Sequence, residues 1–280
     1  MVENRPLLSI LAHIVLLLGV AIVALPVWIT FVGSSHEAER MLQTPIPMLP
    51  GDQFFVNLRQ TLWGSGLEGT NTAPVWMMLM NSMIMALMIA IGKIAISLLS
   101  AFAIVYFKFP FRMGFFWLIF ITLMLPVEVR ILPTFEVVAD LGMLNSYWGL
   151  SVPLIASATA TFMFRQVFLT IPDEMLESAR IDGAGPMRFF WDIVIPLSRT
   201  NIAALFVILF IYGWNQYLWP LLITTDTDMT TIVMSIKQML EAAEQSPQWN
   251  IIMMTALSPQ AQEQTDTDTL NNTHRRFPAV

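Results

Sequence analysis

Long apolar runs separated by polar connections are the dominant pattern of this chain. Five runs come close to the roughly 20 residues that a helix needs to cross a bilayer, at positions 7–32, 75–107, 113–133, 147–164 and 201–225. Because lipid-exposed backbone groups must be hydrogen-bonded within their own segment, runs of this length are expected to be helices. The pattern therefore predicts an all-α, polytopic membrane helix bundle with five clear spans.

The composition supports a membrane protein and argues against several other classes. Hydrophobic residues make up 56% of the 280 residues and charged residues 12%, whereas a soluble domain carries about 25% charged residues. The formal net charge of −6 argues against a nucleic-acid partner. Since the chain has no cysteine and its three histidines are far apart, we expect no disulfide, metal site or cofactor.

Enzymatic activity is not expected from the sequence either. No G-x4-G-K-[ST] sequence occurs, so the chain should not bind ATP as a P-loop protein. A membrane enzyme would need convergent acid and base groups, and no paired carboxylates or histidine–carboxylate set lies at one depth of the spans.

The basic residues predict which ends of the spans face the cytoplasm. With the N-terminus in the cytoplasm, seven of them fall on cytoplasmic connections, namely Arg5, Lys108, Arg112, Arg165, Arg180, Arg188 and Arg199. Three fall on the opposite side, namely Arg40, Arg59 and Lys237. This orientation makes the turn-rich loop 33–74 periplasmic, where short interfacial helices or a soluble partner are expected, and makes the polar loop 170–200 cytoplasmic.

The loop 170–200 has the pattern of two short helices joined by a glycine turn. Its first helix is predicted over 172–181, and Gly183 supplies the turn because glycine tolerates positive φ. Pro186 is expected to open the second helix and Pro196 to end it. In this second helix, Met187, Phe190, Ile193 and Val194 recur at helical spacing, with Phe189 and Trp191 beside them. Such a compact knob suits docking into a groove of a partner; the alternative is an interfacial amphipathic loop without a partner.

The same loop carries a recognisable signature. Its letters E-S-A-R-I-D-G, nine further residues and I-V-I-P match E-A-A-x3-G-x9-I-x-L-P, except that Ser178 and Ile195 replace an Ala and a Leu. The chain thereby resembles the permease subunits of binding-protein-dependent ABC importers, and the segments 120–130, 157–166 and 212–220 are similar to those of the carbohydrate-uptake class. Within that class the likeness is to the smaller permease of sn-glycerol-3-phosphate importers. The resemblance implies that the ATPase-coupling residues are Glu177, Ala179, Gly183, Ile193 and Pro196.

The resemblance also implies an architecture and partners. It implies a type I (MetI-like) permease domain over 1–257, in the bacterial inner membrane, which forms half of the translocation pathway and does not itself hydrolyse ATP. A second permease, a cytoplasmic ATPase dimer and a periplasmic substrate-binding protein are the implied partners. The alternatives are the same machine with a neutral sugar or oligosaccharide as cargo, and a stand-alone secondary transporter or channel.

Polar residues inside the apolar runs are candidates for the pathway, because charge near the bilayer centre is costly. Lys93 lies within the second run, and Glu128 and Arg130 lie near the far end of the third. Arg130 is placed to attract an anionic phosphate, or else forms an ion pair or interface anchor with no role in transport. Asn215 and Gln216 either line the pathway or hydrogen-bond between helices.

The C-terminus departs from the family pattern, which places a sixth span after Asn250. The apolar run there covers only 251–257, and the segment 258–280 is polar, without period, and is expected to be disordered. We interpret this polar tail as out-of-frame sequence, or as the mark of a decayed gene, in place of the sixth span. The alternative is a five-span protein with a periplasmic tail.

Overall fold

All regular structure in the described part of the chain is helical. The computed structural model describes residues 6–64, 73–124, 127–243 and 248–257, with side chains from residue 10 onward except at 122–128. The α-helices are α1 (Pro6–Ser34), α2 (Ala38–Met41), α3 (Phe54–Trp63), α4 (Val75–Tyr106), α5 (Arg112–Met124), α6 (Val127–Asp140), α7 (Tyr147–Ser151), α8 (Ala158–Leu169), α9 (Asp173–Ile181), α10 (Pro186–Phe189), α11 (Ile195–Leu197), α12 (Arg199–Trp214), α13 (Leu218–Ile223), α14 (Ile232–Ala242) and α15 (Trp249–Leu257). Short 3-10 helices cover Val152–Leu154 and Thr227–Met229, and a π-helix covers Phe190–Val194.

The chain divides into two compact units. One comprises Met1–Met78 together with Ser235–Val280, and the other comprises Leu79–Met234. The polar tail 258–280 lies outside the described residues, so its interpretation stays a prediction.

In the first unit, α15 packs against the end of α1 that precedes α2. A Cβ at Gly33 would overlap the sulfur of Met253, so the absent side chain lets the two helices touch. Val32 and Ile251 are each 1% exposed there. Between Ile10 and Trp28, by contrast, the large apolar side chains of α1 are exposed, as expected for a helix that meets lipid or another protein.

The loop after α1 is ordered around Asn57 of α3. The Asn57 amide donates to the carbonyls of Ser34 and His36, each at 2.8 Å, and its oxygen accepts from the Asn250 amide at 3.2 Å. These bonds satisfy backbone groups at the end of α1 that have no partner within the helix. The two short helices expected in the loop 33–74 are present as α2 and α3.

The second unit is built around α4, which presents two buried clusters. Toward its N-terminal half, Met85 and Ile89 pack with residues of α6, α7 and α13. Toward its C-terminal end, Phe102 packs with α8, α12 and the segment from α9 to α11. A single helix therefore contacts both the middle of the unit and its 170–200 loop.

Several predicted runs are divided in the structure. The third becomes α5 and α6, with residues 125–126 outside the described part, and the fourth bends by 53° between Leu154 and Ala158. The fifth run was wrongly read as one helix, because α12 ends at Trp214 and α13 starts at Leu218. Among the described residues, two helices are long and apolar enough to cross a membrane, Ile10–Ser34 and α4, or up to four if each of two bent pairs is one span.

Candidate ATPase-coupling surface and membrane pathway

The first helix of the 170–200 loop ends in a turn that requires glycine. Gly183 has φ +71°, and its N–H donates to the Arg180 carbonyl at 3.1 Å. The N–H of Ala184 donates to the Ala179 carbonyl at 2.9 Å. These two bonds form a Schellman motif, which fixes the direction in which the chain leaves α9. No atom lies within 4 Å of the position of a Cβ on Gly183, so this turn is open to the outside.

The second half of the loop contains a π-helix that changes which side chains face inward. Phe189 and Phe190 are each 2% exposed, and Val194 is fully buried. Ile193 is half-buried and packs against the cluster around Phe102, whereas Met187 is 52% exposed. Helical spacing therefore does not place Met187 with the buried residues, because the π-helix that follows it has a longer repeat than the 3.6 residues on which the spacing argument rests.

The inner face of the loop is anchored to α4 by aromatic contacts. The Phe102 and Phe190 ring centroids are 4.8 Å apart, and the Tyr106 and Phe189 rings meet edge-on at 5.1 Å. The Tyr106 hydroxyl also donates to the Phe168 carbonyl at 3.3 Å. Sequence reasoning missed Phe102 and Tyr106, although their spacing of four residues at the end of the second run places them on one helix face.

The outer face of the loop exposes apolar side chains beside acidic ones. Ile181 is 86% exposed, Trp191 61% and Met187 52%. Glu177 is also exposed and forms no hydrogen bond or ion pair within the described residues, so its carboxylate does not anchor the glycine turn. Backbone bonds close that turn instead. Exposed apolar groups next to an uncommitted carboxylate are typical of a surface that another protein covers.

The remaining signature residues have structural positions. Ala179 is 5% exposed and points into the cluster around Phe102, where a larger side chain would not fit without repacking. Pro196 is the last residue but one of the helical stretch Pro186–Leu197, close to the end predicted for it, and this stretch bends by 75° into α12.

A groove of about 420 Å³ lies between the end of α4 and the loop. Its floor is formed by Phe102, Tyr106 and Phe189, and Lys108 and Arg180 contribute positive charge. The groove is thus lined by aromatic rings and by basic side chains, and it lies beside the candidate coupling surface.

The candidate pathway residues come together only in part. Arg130 is half-buried on α6, and Gln216 donates from its side chain to the Tyr212 carbonyl at 2.9 Å. Asn215 caps the end of α12, so Asn215 and Gln216 lie in the break between α12 and α13. The side chain of Glu128 lies outside the described residues.

One contact in this region was not expected from the sequence. The Lys93 ammonium lies 3.5 Å from the centroid of the Tyr212 ring, and Lys93 is 5% exposed. Lys93 was noted only as a charge within the second run, and Tyr212 is 119 positions away along the chain. In the described part of the chain, no group of three or more metal-ligating side chains occurs.

Comparison with known proteins identifies the family. The family described as "Binding-protein-dependent transport system inner membrane component" matches residues 93–258, which is more than half of the chain. The chain belongs to this family. Its signature loop is thereby the loop of an importer permease, and the chain is a multi-pass inner-membrane component of such a system and not its ATPase.

Individual relatives are similar over nearly the whole chain. The sn-glycerol-3-phosphate transport system permease protein UgpE of Agrobacterium fabrum is 58% identical over 257 residues, which cover 92% of this chain and 91% of that protein. The proteins of the same name from Salmonella typhi and Escherichia coli K12 are 58% and 57% identical with the same coverage. These matches confirm the resemblance drawn from the signature loop and from the segments 120–130, 157–166 and 212–220.

A solved structure has the same fold. It is the crystal structure of a bacterial ABC transporter involved in the import of the acidic polysaccharide alginate, and one of its chains matches with a TM-score of 0.73. The match covers 100% of this chain and 99% of that chain at 16% sequence identity. At this identity the likeness shows the fold alone, which is the all-helical fold of a membrane permease.

Proposed function

We propose that this chain is a permease subunit of an ATP-driven importer of sn-glycerol-3-phosphate and forms half of its translocation pathway. The observation that carries the proposal is the identity of 57–58% with permeases of sn-glycerol-3-phosphate systems over nine-tenths of each chain. The candidate coupling surface supports it, because exposed apolar residues beside an uncommitted carboxylate are typical of a surface that another protein covers.

The proposed assembly has four kinds of subunit. A cytoplasmic ATPase dimer binds the outer face around Glu177, Ile181 and Trp191, through burial of apolar surface and a charge-assisted contact. Ala179, Ile193 and Pro196 act on the inner side of the same loop, where they keep the knob attached to the membrane helices. A second permease completes the pathway, and a periplasmic binding protein delivers the substrate.

The proposed topology has a cytoplasmic N-terminus and a permease domain over 1–257. The five spans are α1, α4, α5 with α6, α7 with α8, and α12 with α13. The 32 residues of α4 give a length of roughly 48 Å, which exceeds the ~30 Å hydrocarbon core. An α-helix of this length tilts in the bilayer or extends beyond it, and the C-terminal end of α4, with Phe102 and Tyr106, meets the cytoplasmic loop 170–200.

The test is transport by the complete complex in proteoliposomes, with ATP inside and loaded binding protein outside. We expect uptake of radiolabelled sn-glycerol-3-phosphate that stops when the ATPase partner cannot hydrolyse ATP. Uptake of a neutral oligosaccharide instead would mean the same machine with another cargo. Uptake by this chain without the ATPase would contradict the proposal and favour a stand-alone transporter.

A further inference from the structure

Lys93 is a buried charge in the middle of a membrane helix. It lies 13 residues before the end of α4, and Tyr212 lies 13 residues after the start of α12. Both residues are therefore roughly 20 Å from the ends of their helices that adjoin the coupling loop. Ionisable residues at such depth are costly, and they mark the path of an ion or substrate more often than a packing role.

The immediate neighbour of the Lys93 ammonium is aromatic. The ammonium lies 3.5 Å from the centroid of the Tyr212 ring, and Lys93 is 5% exposed. Among the side chains that the structure describes, no carboxylate lies within ion-pair distance of Lys93. A buried cation is thus covered by an aromatic face, with no ion-pair partner in the described part of the chain.

Two interruptions of helical backbone lie beside this place. Ile155, in the break between the 3-10 helix and α8, packs onto Gly92, where a Cβ would lie 2.6 Å from its side chain. The other break lies between Trp214 and Leu218, and it begins two residues after Tyr212. Non-helical backbone at membrane depth is tolerated where it is buried in protein or lines a cavity, and discontinuous helices are a common way to build transport sites.

We propose that Lys93 is the cationic group of an anion-binding site in the pathway. This site takes the phosphate group of a phosphomonoester and is covered at rest by the Tyr212 ring. The proposal rests on the proposed function, since it deepens the identity of the cargo. An anionic phosphate forms charge-assisted hydrogen bonds with an ammonium, and these are stronger than a cation–π contact. Arrival of the phosphate therefore displaces the ring, and its departure lets the ring return.

Tyr212 is suited to such a lid because only one face of its ring is engaged by Lys93. The residue is 36% exposed, so neighbouring residues do not fully enclose it. A rotamer change of one side chain uncovers the ammonium without movement of α4 or α12. Return of the ring also limits how tightly the site holds its anion, which a transport site requires for release.

The positive field can be measured directly, because the chain has no cysteine of its own. Gln216→Cys places one thiol in this subunit, next to Tyr212. In the complete complex we expect an anionic methanethiosulfonate to react at least about tenfold faster than a cationic one, relative to their ratio toward free cysteine. Adding Lys93→Met should reduce this preference, and sn-glycerol-3-phosphate, but not glycerol, should slow the labelling. Equal preference with and without Lys93 would overturn the proposal.

Transport by the complete complex gives the second test. Lys93→Met should lower uptake of sn-glycerol-3-phosphate at least about tenfold, because the phosphate loses one charged hydrogen-bond partner. Lys93→Arg should recover much of it, and both variants should still hydrolyse ATP in response to loaded binding protein. Wild-type uptake by an assembled Lys93→Met complex would refute the anion site.

These outcomes separate the site from the proposed function. If wild-type complex does not import sn-glycerol-3-phosphate, the proposed function fails. If it does and the Lys93 variant is unaffected, only the anion site fails. If the Lys93→Met complex does not assemble, the labelling of Gln216→Cys is compared with that of the double variant Gln216→Cys, Lys93→Arg. Preference for the anionic reagent in both proteins supports the site. Absence of this preference from both proteins contradicts it.

Discussion

A pair of glycines allows the docking role of the coupling loop to be tested against a matched control. Gly183 and Gly142 have φ values of +71° and +66°, and neither has an atom within 4 Å of a Cβ position. Both close Schellman motifs, since the N–H of Met143 donates to the Val138 carbonyl at 3.0 Å as that of Ala184 does to Ala179. The two sites differ in location and hardly at all in local geometry.

Tryptophan at either glycine should have the same effect on folding. An L-residue in this left-handed conformation costs roughly 1–2 kcal/mol, and the open space leaves no further clash within the subunit. If the outer face of the loop docks closely onto the ATPase, an indole at position 183 must in addition be forced into that interface. Overpacking of this kind costs about 1–3 kcal/mol, which corresponds to roughly 5- to 150-fold weaker association.

The assay is the affinity of the purified permease pair for the ATPase in detergent, with thermal unfolding as the measure of fold. Gly183→Trp should weaken association with the ATPase by roughly 5- to 150-fold, and Gly142→Trp should change it by no more than about twofold. Both variants should lower the melting temperature by the same amount. Gly183→Ala should behave like the control, because it carries the strain without the bulk. Wild-type affinity of the ATPase for Gly183→Trp would refute the docking argument.

Three further predictions follow from other contacts. Glu177→Gln should weaken ATPase association roughly tenfold, as loss of a hydrogen bond to a charged group does, with an unchanged melting temperature; a drop in that temperature would mean an internal role. Phe190→Ala should lower the free energy of unfolding of the permease by about 3–5 kcal/mol. Trp191→Ala, at the exposed neighbouring residue, should change it by less than ~0.5 kcal/mol. Asn57→Leu leaves two backbone carbonyls without their donor and should speed proteolysis of the segment 33–64, and Arg59→Leu should not; equal digestion of both would contradict the role of Asn57.

Local features of the coupling loop could be predicted from the sequence because they depend on single residues. Pro186 opens α10 and Gly183 adopts positive φ, as those residue types require. The inward face of the following segment could not be predicted, since the spacing argument assumed an ordinary helix where Phe190–Val194 forms a π-helix. Nothing in that apolar sequence distinguishes the two repeats.

The break in the fifth run had a signal that was not used. Proline has no N–H and clashes with the carbonyl four residues earlier, so Pro220 cannot continue a regular helix through Gln216. The helix indeed ends at Trp214 and a new one starts at Leu218. The contact between Lys93 and Tyr212 had no such signal, because it depends on packing between helices far apart in the chain.

The two helices that hold Lys93 and Tyr212 meet the coupling loop in different ways, and this difference gives a physical route from docking to the pathway. α12 continues from the loop through a bend of 75°. α4 is held to it only by packing, with Phe102 and Phe190 at 4.8 Å. Helices move as rigid elements, so a tilt of the loop displaces the connected helix more directly than the packed one. The ring of Tyr212 would then shift relative to the Lys93 ammonium roughly 20 Å away, and a cation–π contact weakens as the two separate. If the proposed ATPase tilts the loop on docking, the Tyr212 ring is displaced from the Lys93 ammonium, and the proposed anion site is coupled to ATP through these two helices.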